Sequence, residues 1–329
     1  MFANASILVT GGTGSWGHEL IQQLLERNPK KIIVFSRNES KQVAMQRKFD
    51  DDRLVFHIGD IRDKESLSAA CRNVDYIFHL AALKHVHICE DQPYEALKTN
   101  VIGTQNVIEA AIERKVKKVV YISTDKAANP SNFYGMTKAI GEKLIVYANM
   151  LMESETTFVC VRGGNVLGTS ESVIHLFMRQ MKEKNEISIT DYRMTRFFMT
   201  IHDAISLLFK ATEKSKGGEI FVMAMPACRI IDLAEVLVES MGKTGVAFKE
   251  IGIRPGEKIH EILFSENEQA YTIVYDDEYF VILPSTQSPE LKAAYSHYPK
   301  VKMKNYISSD ALMSKEEIKQ LLKQGGFLQ

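Results

Sequence analysis

Short β-branched runs alternate with amphipathic stretches through the first half of the chain. Ile7-Leu8-Val9 precedes a glycine-rich turn and a helix to about Glu26. Lys31 to Ser36 predicts a strand, and a polar helix follows from Ser40. Arg53 to Gly59 predicts a strand, Asp63 to Arg72 a helix, and Asp75 to Ala81 a strand. A long helix is predicted from about Pro93 to Arg114, then a strand over Lys118 to Thr124. A helix over about Ser131 to Met152 and a strand over Thr157 to Arg162 complete the series. Near-continuous apolar strands separated by helices specify βαβ units, because each crossover lays a helix over a face of a parallel sheet. Short right-handed crossovers make that sheet doubly wound, an α/β fold.

The second half loses this rhythm. Gly163-Gly164-Asn165 opens an irregular region. Helices are predicted at Ser172 to Lys184, His202 to Thr212 and Ile230 to Met241. Glu219 to Met223 reads as a strand returning to the sheet, Val246 to Ile251 as a short strand, and Arg254-Pro255-Gly256-Glu257 as a turn. The tail from Ser285 ends in a helix, Ser314 to Lys323, with Ser314 and Glu317 spaced as a capping box. The expected division is a first domain over 1–163, joined by a returning segment near 197–224, and a smaller mixed α/β domain made mainly of 164–329.

Composition adds limits. The 329 residues suggest about two domains at roughly 150 residues each. Lys and Arg total 41, as do Asp and Glu. That balance gives none of the basic excess that neutralises nucleic-acid phosphates, so no nucleic-acid partner is expected. Cys71, Cys89, Cys160 and Cys228 form no CxxC pair, and they read as buried thiols in a reducing compartment. No apolar run approaches the roughly 18 residues that span a bilayer, and the N-terminus runs straight into a strand without a basic leader. The expectation is a cytoplasmic protein with no membrane partner.

The turn after the first strand reads Thr10-Gly11-Gly12-Thr13-Gly14-Ser15-Trp16-Gly17. Gly11, Gly14 and Gly17 are spaced for a tight turn, close approach to a pyrophosphate and close helix packing. The following helix presents its N-terminal N–H groups to the anion. In this strand–turn–helix context the triplet predicts a dinucleotide-binding Rossmann domain over 1–163. The second strand ends Phe35-Ser36-Arg37-Asn38 without the acid that holds a ribose 2′-hydroxyl in NAD sites. Arg37 and Ser36 are instead suited to a 2′-phosphate, which favours NADP over NAD. Gly59-Asp60-Ile61 follows the third strand, within reach of adenine; Asp60 as a helix N-cap is the plainer and compatible reading.

Ser123-Thr124 ends the fifth strand, and Tyr134 and Lys138 follow in Tyr134-Gly135-Met136-Thr137-Lys138. Their i, i+4 spacing puts both side chains on one helix face. A tyrosine has an unperturbed pKa of about 10, and a nearby ammonium favours its phenolate. With Thr124 sharing the proton, Tyr134 is placed to accept the proton of a sugar hydroxyl as hydride leaves for a nicotinamide.

With these motifs the chain resembles the extended short-chain dehydrogenase/reductases over nearly its whole length. The resemblance rests on the segments 10–17, 59–61, 79–82 (HLAA), 123–127 (STDKA) and 134–138. It implies NAD(P) in the first domain, with Thr13, Ser15, Trp16, Asp60, Ile61, Ala81, Ala82, Tyr134 and Lys138 among its contacts, and a nucleotide sugar in the second. Asp125-Lys126 is similar to the pair of the inverting UDP-N-acetylglucosamine 4,6-dehydratases of bacterial glycan synthesis, where the retaining enzymes carry Asp-Glu. The resemblance then implies Lys126 as the C5 base and Asp125 as the C6 acid. The product would be a 4-keto-6-deoxy sugar of L-arabino configuration. An acid beside a base suits that elimination; an exposed loop ion pair is the plainer reading of the same two residues.

Further segments are similar to this subgroup. Ala82-Leu83-Lys84-His85-Val86 matches, with Lys84 toward substrate, but His87 stands where the subgroup has Pro. His79, His85 and His87 lack a carboxylate partner at metal-site spacing, and no metal is expected. The resemblance implies substrate contacts at Asn165, Thr190, Arg196, Arg254 and Glu257, the arginines toward a diphosphate and Glu257 toward a ribose. Family members commonly form dimers or larger rings, so a homo-oligomer, dimer or hexamer, is expected. Three other readings stay open: a UDP-sugar 4-epimerase that leaves Asp125 and Lys126 idle, a dehydratase releasing a 5,6-ene, and a non-catalytic NADP-sensing scaffold.

Overall fold

A computed structural model describes residues 1–150, 155–169 and 172–328. The first half follows the hydrophobic pattern closely. Its elements are β1 (Ser6–Thr10), α1 (Ser15–Leu25), β2 (Lys31–Ser36), α2 (Glu39–Phe49), β3 (Leu54–Ile58), α3 (Lys64–Ala70) and β4 (Tyr76–His79). There follow α4 (Val86–Asp91), α5 (Pro93–Leu97), α6 (Gly103–Glu113), β5 (Lys118–Thr124), α7 (Phe133–Ala148) and β6 (Thr157–Gly163). The end predicted for α7, at Met152, lies outside the described residues.

Two local features depart from the expectation. The long helix predicted from Pro93 is interrupted by a π-helical turn at Lys98–Ile102. That turn buries Asn100, whose side chain bonds the Leu83 backbone in both directions and Thr137 Oγ1. The additional helix α4 starts at Val86 with His85 as its N-cap, so the segment with His87 in place of Pro is helical. His87 lies in the first turn of that helix, where backbone N–H groups have no intrahelical partner and Pro is tolerated as well.

The second half contains β7 (Asn165–Val166), α8 (Val173–Lys184), β8 (Glu186–Ile189), β9 (Thr195–Met199), α9 (Ile201–Lys214), β10 (Ile220–Met223), β11 (Ala227–Arg229), α10 (Ile230–Ser240) and β12 (Ala247–Glu250). It closes with β13 (Ile262–Phe264), α11 (Glu266–Gln269), β14 (Thr272–Val274), β15 (Tyr279–Ile282), α12 (Pro289–Tyr295), β16 (Tyr306–Ile307) and α13 (Lys315–Gln324). Ser314 and Glu317 form the expected capping box.

Among the described residues, nine strands pair in the order β14-β15-β10-β6-β5-β4-β1-β2-β3. Pairing is parallel from β3 through β10, and β15 and β14 add antiparallel at the far edge. The order reverses between β1 and β4, the switch point at which doubly wound sheets open a crevice. Apolar side chains of β1, β2, β4, β5 and β6 are buried almost completely, as expected of a sheet covered on both faces. A second apolar cluster joins α8, α10 and α13, with Ile174, Phe177, Leu233, Leu237, Ile318 and Leu322 at its centre.

A buried ion-pair network ties late segments to the sheet. Arg162 on β6 makes bidentate contact with Glu142 and with Glu268, and also donates to the Leu263 carbonyl. Cys71, Cys89, Cys160 and Cys228 are buried and unpaired. Among the described residues no helix is long and apolar enough to cross a membrane.

Candidate active site

The carboxyl ends of β1, β2, β4, β5 and β6 open on a cavity of about 740 Å³. The glycine turn forms one wall. Gly11 has φ +69°, and a Cβ there would lie 2.8 Å from the Ala81 amide nitrogen. A Cβ on Gly17 would lie 2.1 Å from the Gly12 carbonyl oxygen. Both positions need glycine for close backbone approach. Gly14 is the N-cap of α1 and supplies no side-chain bond, so the helix dipole faces the cavity uncapped. This cradle fits the pyrophosphate of a dinucleotide. Gly11, Gly14, Ser15, Trp16 and Gly17 line the cavity, whereas Thr13 does not.

At the tip of β2, Arg37 lines the cavity, joined by Lys41 from the first turn of α2. Lys41 carries no sequence signal of its own; it is exposed, and only the fold shows that it borders the cavity. Ser36 is buried and accepts a hydrogen bond from Gln42 Nε2 at 2.9 Å, so it sits behind the wall and not on it. Asp60 binds Arg62 through backbone and side chain, and Arg37 Nη1 is 3.8 Å away. Asp63, and not Asp60, is the N-cap of α3. Ile61 is buried, and Gly103 packs against it where a Cβ would lie 2.6 Å from Ile61 Cδ1. Ala81 and Ala82 line the cavity directly.

The reactive residues meet at the tip of β5. Thr124, Lys126, Tyr134 and Lys138 line the cavity, as does Ser123. Asp125 is fully buried and is not on the wall. Its Oδ1 accepts from Thr124 Oγ1 at 2.8 Å and from Lys126 Nζ at 3.0 Å, while Oδ2 has no partner. Burial opposes the Lys126 ammonium, but Asp125 and Glu261 outweigh it and hold its pKa above the usual lysine range. Loss of hydration pushes the Tyr134 phenol up to about 12, with Lys126 and a Thr124 hydrogen bond pulling the other way.

Lys138 behaves differently from the expectation. It shares a helix face with Tyr134, but its Nζ donates to the Ile122 carbonyl and lies 4.0 Å from the centre of the Tyr121 ring. Burial pushes its pKa down to about 7. The cation acting on the phenol is therefore Lys126. His79 is held between the hydroxyls of Thr10 and Thr104, and burial lowers its pKa to about 3, so it is a neutral structural side chain.

The residues expected to contact substrate divide. Lys84 and Asn165 line the cavity. Thr190, Arg196, Arg254 and Glu257 do not. Arg196 is buried, with Nη1 on the Thr195 and Ile259 carbonyls, Nη2 on the Lys258 carbonyl and Nε 3.5 Å from Glu261 Oε1. These contacts are all within the protein, and Arg196 does not line the cavity in which a diphosphate was expected. Arg254 is exposed, and its amide donates to the Glu257 carboxylate within the turn. That turn packs on the start of α7: Ser131 Oγ and Asn132 Nδ2 both donate to the Gly256 carbonyl.

Reading the sequence also missed Glu261, which is buried with Oε1 3.5 Å from Lys126 Nζ and Oε2 without a partner. Glu261 follows four residues after Glu257, and nothing local in the sequence distinguishes the two.

A glycine-cradled crevice at the switch point, with Tyr134 and Lys138 beside the tip of β5, defines an extended short-chain dehydrogenase/reductase. The family model for polysaccharide biosynthesis proteins matches residues 7–283, and the chain belongs to that family. A UDP-N-acetylglucosamine 4,6-dehydratase (inverting) of Campylobacter jejuni is 45% identical over 288 residues, covering 87% of this chain and 84% of its own. A UDP-glucose 4-epimerase of Rickettsia akari is 44% identical over 276 residues, covering 82% and 80%. The X-ray structure of Pen from Bacillus thuringiensis superposes with TM-score 0.90 at 41% identity, covering 98% of this chain and 99% of that one.

Proposed function

We propose that the protein is a UDP-N-acetylglucosamine 4,6-dehydratase of the C5-inverting kind, a hydro-lyase. The observation that carries this reading is the Asp125–Lys126 pair, buried at the tip of β5 with only Lys126 reaching the cavity. Hydride transfer alone needs neither group. The named dehydratase relative supports the same reading.

Gly11, Gly14, Ser15 and Gly17 would hold a nicotinamide dinucleotide, which when bound would supply the hydride acceptor and donor that a dehydration needs. Arg37 and Lys41 favour the form with a 2′-phosphate, NADP. Residues 1–163 hold this cofactor, and 164–329 mainly hold the UDP-sugar, with Asn165 and Lys84 reaching it from the cavity wall.

Tyr134 accepts the C4 hydroxyl proton, favoured by Lys126 and Thr124. The ketone formed at C4 acidifies C5–H. Lys126 in its amine form then takes the C5 proton, and the C6–O bond breaks as its oxygen gains a proton that originates on Asp125. Asp125 is not on the wall, so Thr124, which lines the cavity and bonds Oδ1, is the path for that proton. The pair starts this step as carboxylic acid and amine, reached from its ion pair by moving the Lys126 proton to Asp125 Oδ1 across their 3.0 Å contact, and ends it as carboxylate and ammonium. The proton that Tyr134, as phenolate, took from the C4 hydroxyl then goes to C5 as C6 receives the hydride, which returns Tyr134 to phenolate.

The epimerase relative supports a second reading, in which Tyr134 works alone and Asp125 and Lys126 only shape its surroundings. Incubation with UDP-N-acetylglucosamine in deuterated water, followed by proton NMR, separates the two. A new C6 methyl with deuterium at C5 is expected. The galacto isomer without a methyl would retire the dehydratase reading.

A further inference from the structure

Five charged side chains converge behind the tip of β5 from three separate parts of the chain. Asp125 and Lys126 come from the turn after β5, Arg196 from β9, and Lys258 and Glu261 from the segment before β13. Tyr134 faces the same group from α7. His260 lies beside them but spends Nδ1 on Thr195 Oγ1 at 2.8 Å. Lys258 Nζ donates to the Ala128 carbonyl at 3.0 Å, just past the reactive turn.

Within this group Glu261 has a particular place. Its Oε1 sits 3.5 Å from Lys126 Nζ and 3.5 Å from Arg196 Nε. Its amide donates to Ser308 Oγ at 2.9 Å, which in turn is 2.6 Å from Thr195 Oγ1. The residue is 2% exposed, so its charge is screened little by water. A buried carboxylate is retained only against paired cations, and two are present. No assigned step uses it.

We propose that Glu261 is the positioning residue of the reactive pair: with Asp125 it clamps the Lys126 ammonium from a second side, and through Arg196 it ties that clamp to β9 and the substrate half. This rests on the dehydratase reading for its catalytic consequence, though not for the clamp itself. The clamp aims Lys126 Nζ into the cavity and sets how readily Lys126 gives up its proton. Removing the Glu261 charge leaves one carboxylate instead of two beside the ammonium, so the amine form becomes more abundant at a given pH while its aim is lost.

The test uses full-length Glu261→Gln and Glu261→Asp, each with its melting curve. Competitive acetylation with acetic anhydride at pH 8, read by mass spectrometry, reports the amine fraction at Lys126, with cavity-lining Lys84 as the internal reference. Labelling of Lys126 relative to Lys84 is expected to rise about tenfold in E261Q, a shift on the order of one pH unit, and less in E261D. For methyl-product formation, kcat is expected to fall about tenfold or more in E261Q with KM within about threefold, and to recover in part in E261D. The alkaline change in kcat moves to lower pH in E261Q.

Unchanged Lys126 labelling in folded E261Q overturns the inference, as does an unchanged kcat at every pH. If wild-type protein forms no methyl product, the dehydratase reading fails, and the labelling ratio alone decides whether Glu261 holds Lys126. Where Gln is not tolerated, E261D carries the same labelling test with a smaller rise.

Discussion

Lys126 Nζ lies 3.0 Å from Asp125 Oδ1, yet only the lysine reaches the cavity. In the proposed reaction this pair exchanges protons with the substrate through the Lys126 nitrogen and through the Thr124 hydroxyl, which donates to Asp125 Oδ1. Removing either member strands a charge in the interior, which costs more than the pair itself contributes.

Lys126→Ala is therefore expected to lower methyl-product formation by about 10² to 10⁴. Dinucleotide binding, followed by protein fluorescence, should stay within about threefold, because the glycine cradle is untouched. An epimerase activity that survived at wild-type rate in this variant would show that the pair is idle.

In the proposed reaction the Tyr134 hydroxyl accepts the C4 proton, and Tyr134→Phe removes it. The expected loss is again about 10² to 10⁴ in kcat. Single-turnover absorbance of the reduced nicotinamide should lose its early rise, because hydride cannot leave C4 while its hydroxyl keeps the proton. A normal early rise in Y134F would move the acid–base role elsewhere.

Lys138 gives a pH-dependent stability. Burial lowers its folded pKa to about 7, below the unfolded value near 10.4. Between these values the unfolded chain binds more protons, so this residue's contribution makes stability rise with pH. The full penalty of a buried ammonium is felt below about pH 7. Lys138→Met should raise Tm relative to wild type more at pH 6 than at pH 9.5, measured by calorimetry on both proteins. A difference that grew with pH would contradict the burial.

Arg37 and Lys41 bear on cofactor choice. Arg37→Ala and Lys41→Ala should each weaken NADP binding by about tenfold and NAD binding by less than about threefold, since a charge-assisted bond to phosphate contributes roughly 1.5–3 kcal/mol. Titration calorimetry with both dinucleotides measures this. Equal losses would mean that neither side chain meets a 2′-phosphate.

Gly17→Ala places a methyl 2.1 Å from the Gly12 carbonyl oxygen, which is backbone and has little room to yield. The start of α1 must move away from the turn. A drop in Tm and about a tenfold or greater loss of dinucleotide affinity are expected, measured by thermal melting and fluorescence titration.

Much of this protein is legible in its sequence, because the features concerned are local. The period-2 and period-3.6 patterns that set β1 to β6 and their helices are read within a few residues. The same holds for the glycine turn at 11–17, the Tyr134–Lys138 helix face and the Ser314–Glu317 cap. The tertiary structure alone decided the rest. Lys138 turns to the Ile122 carbonyl, Ser36 goes behind the wall under Gln42, and Arg196 spends its donors on carbonyls at 195, 258 and 259. Lys41 borders the cavity, and Glu261 comes from far along the chain to within 3.5 Å of Lys126 Nζ. Which carboxylate meets which ammonium depends on how distant segments dock, and a charged side chain carries the same local pattern whether it ends in solvent, on a carbonyl or in a buried pair.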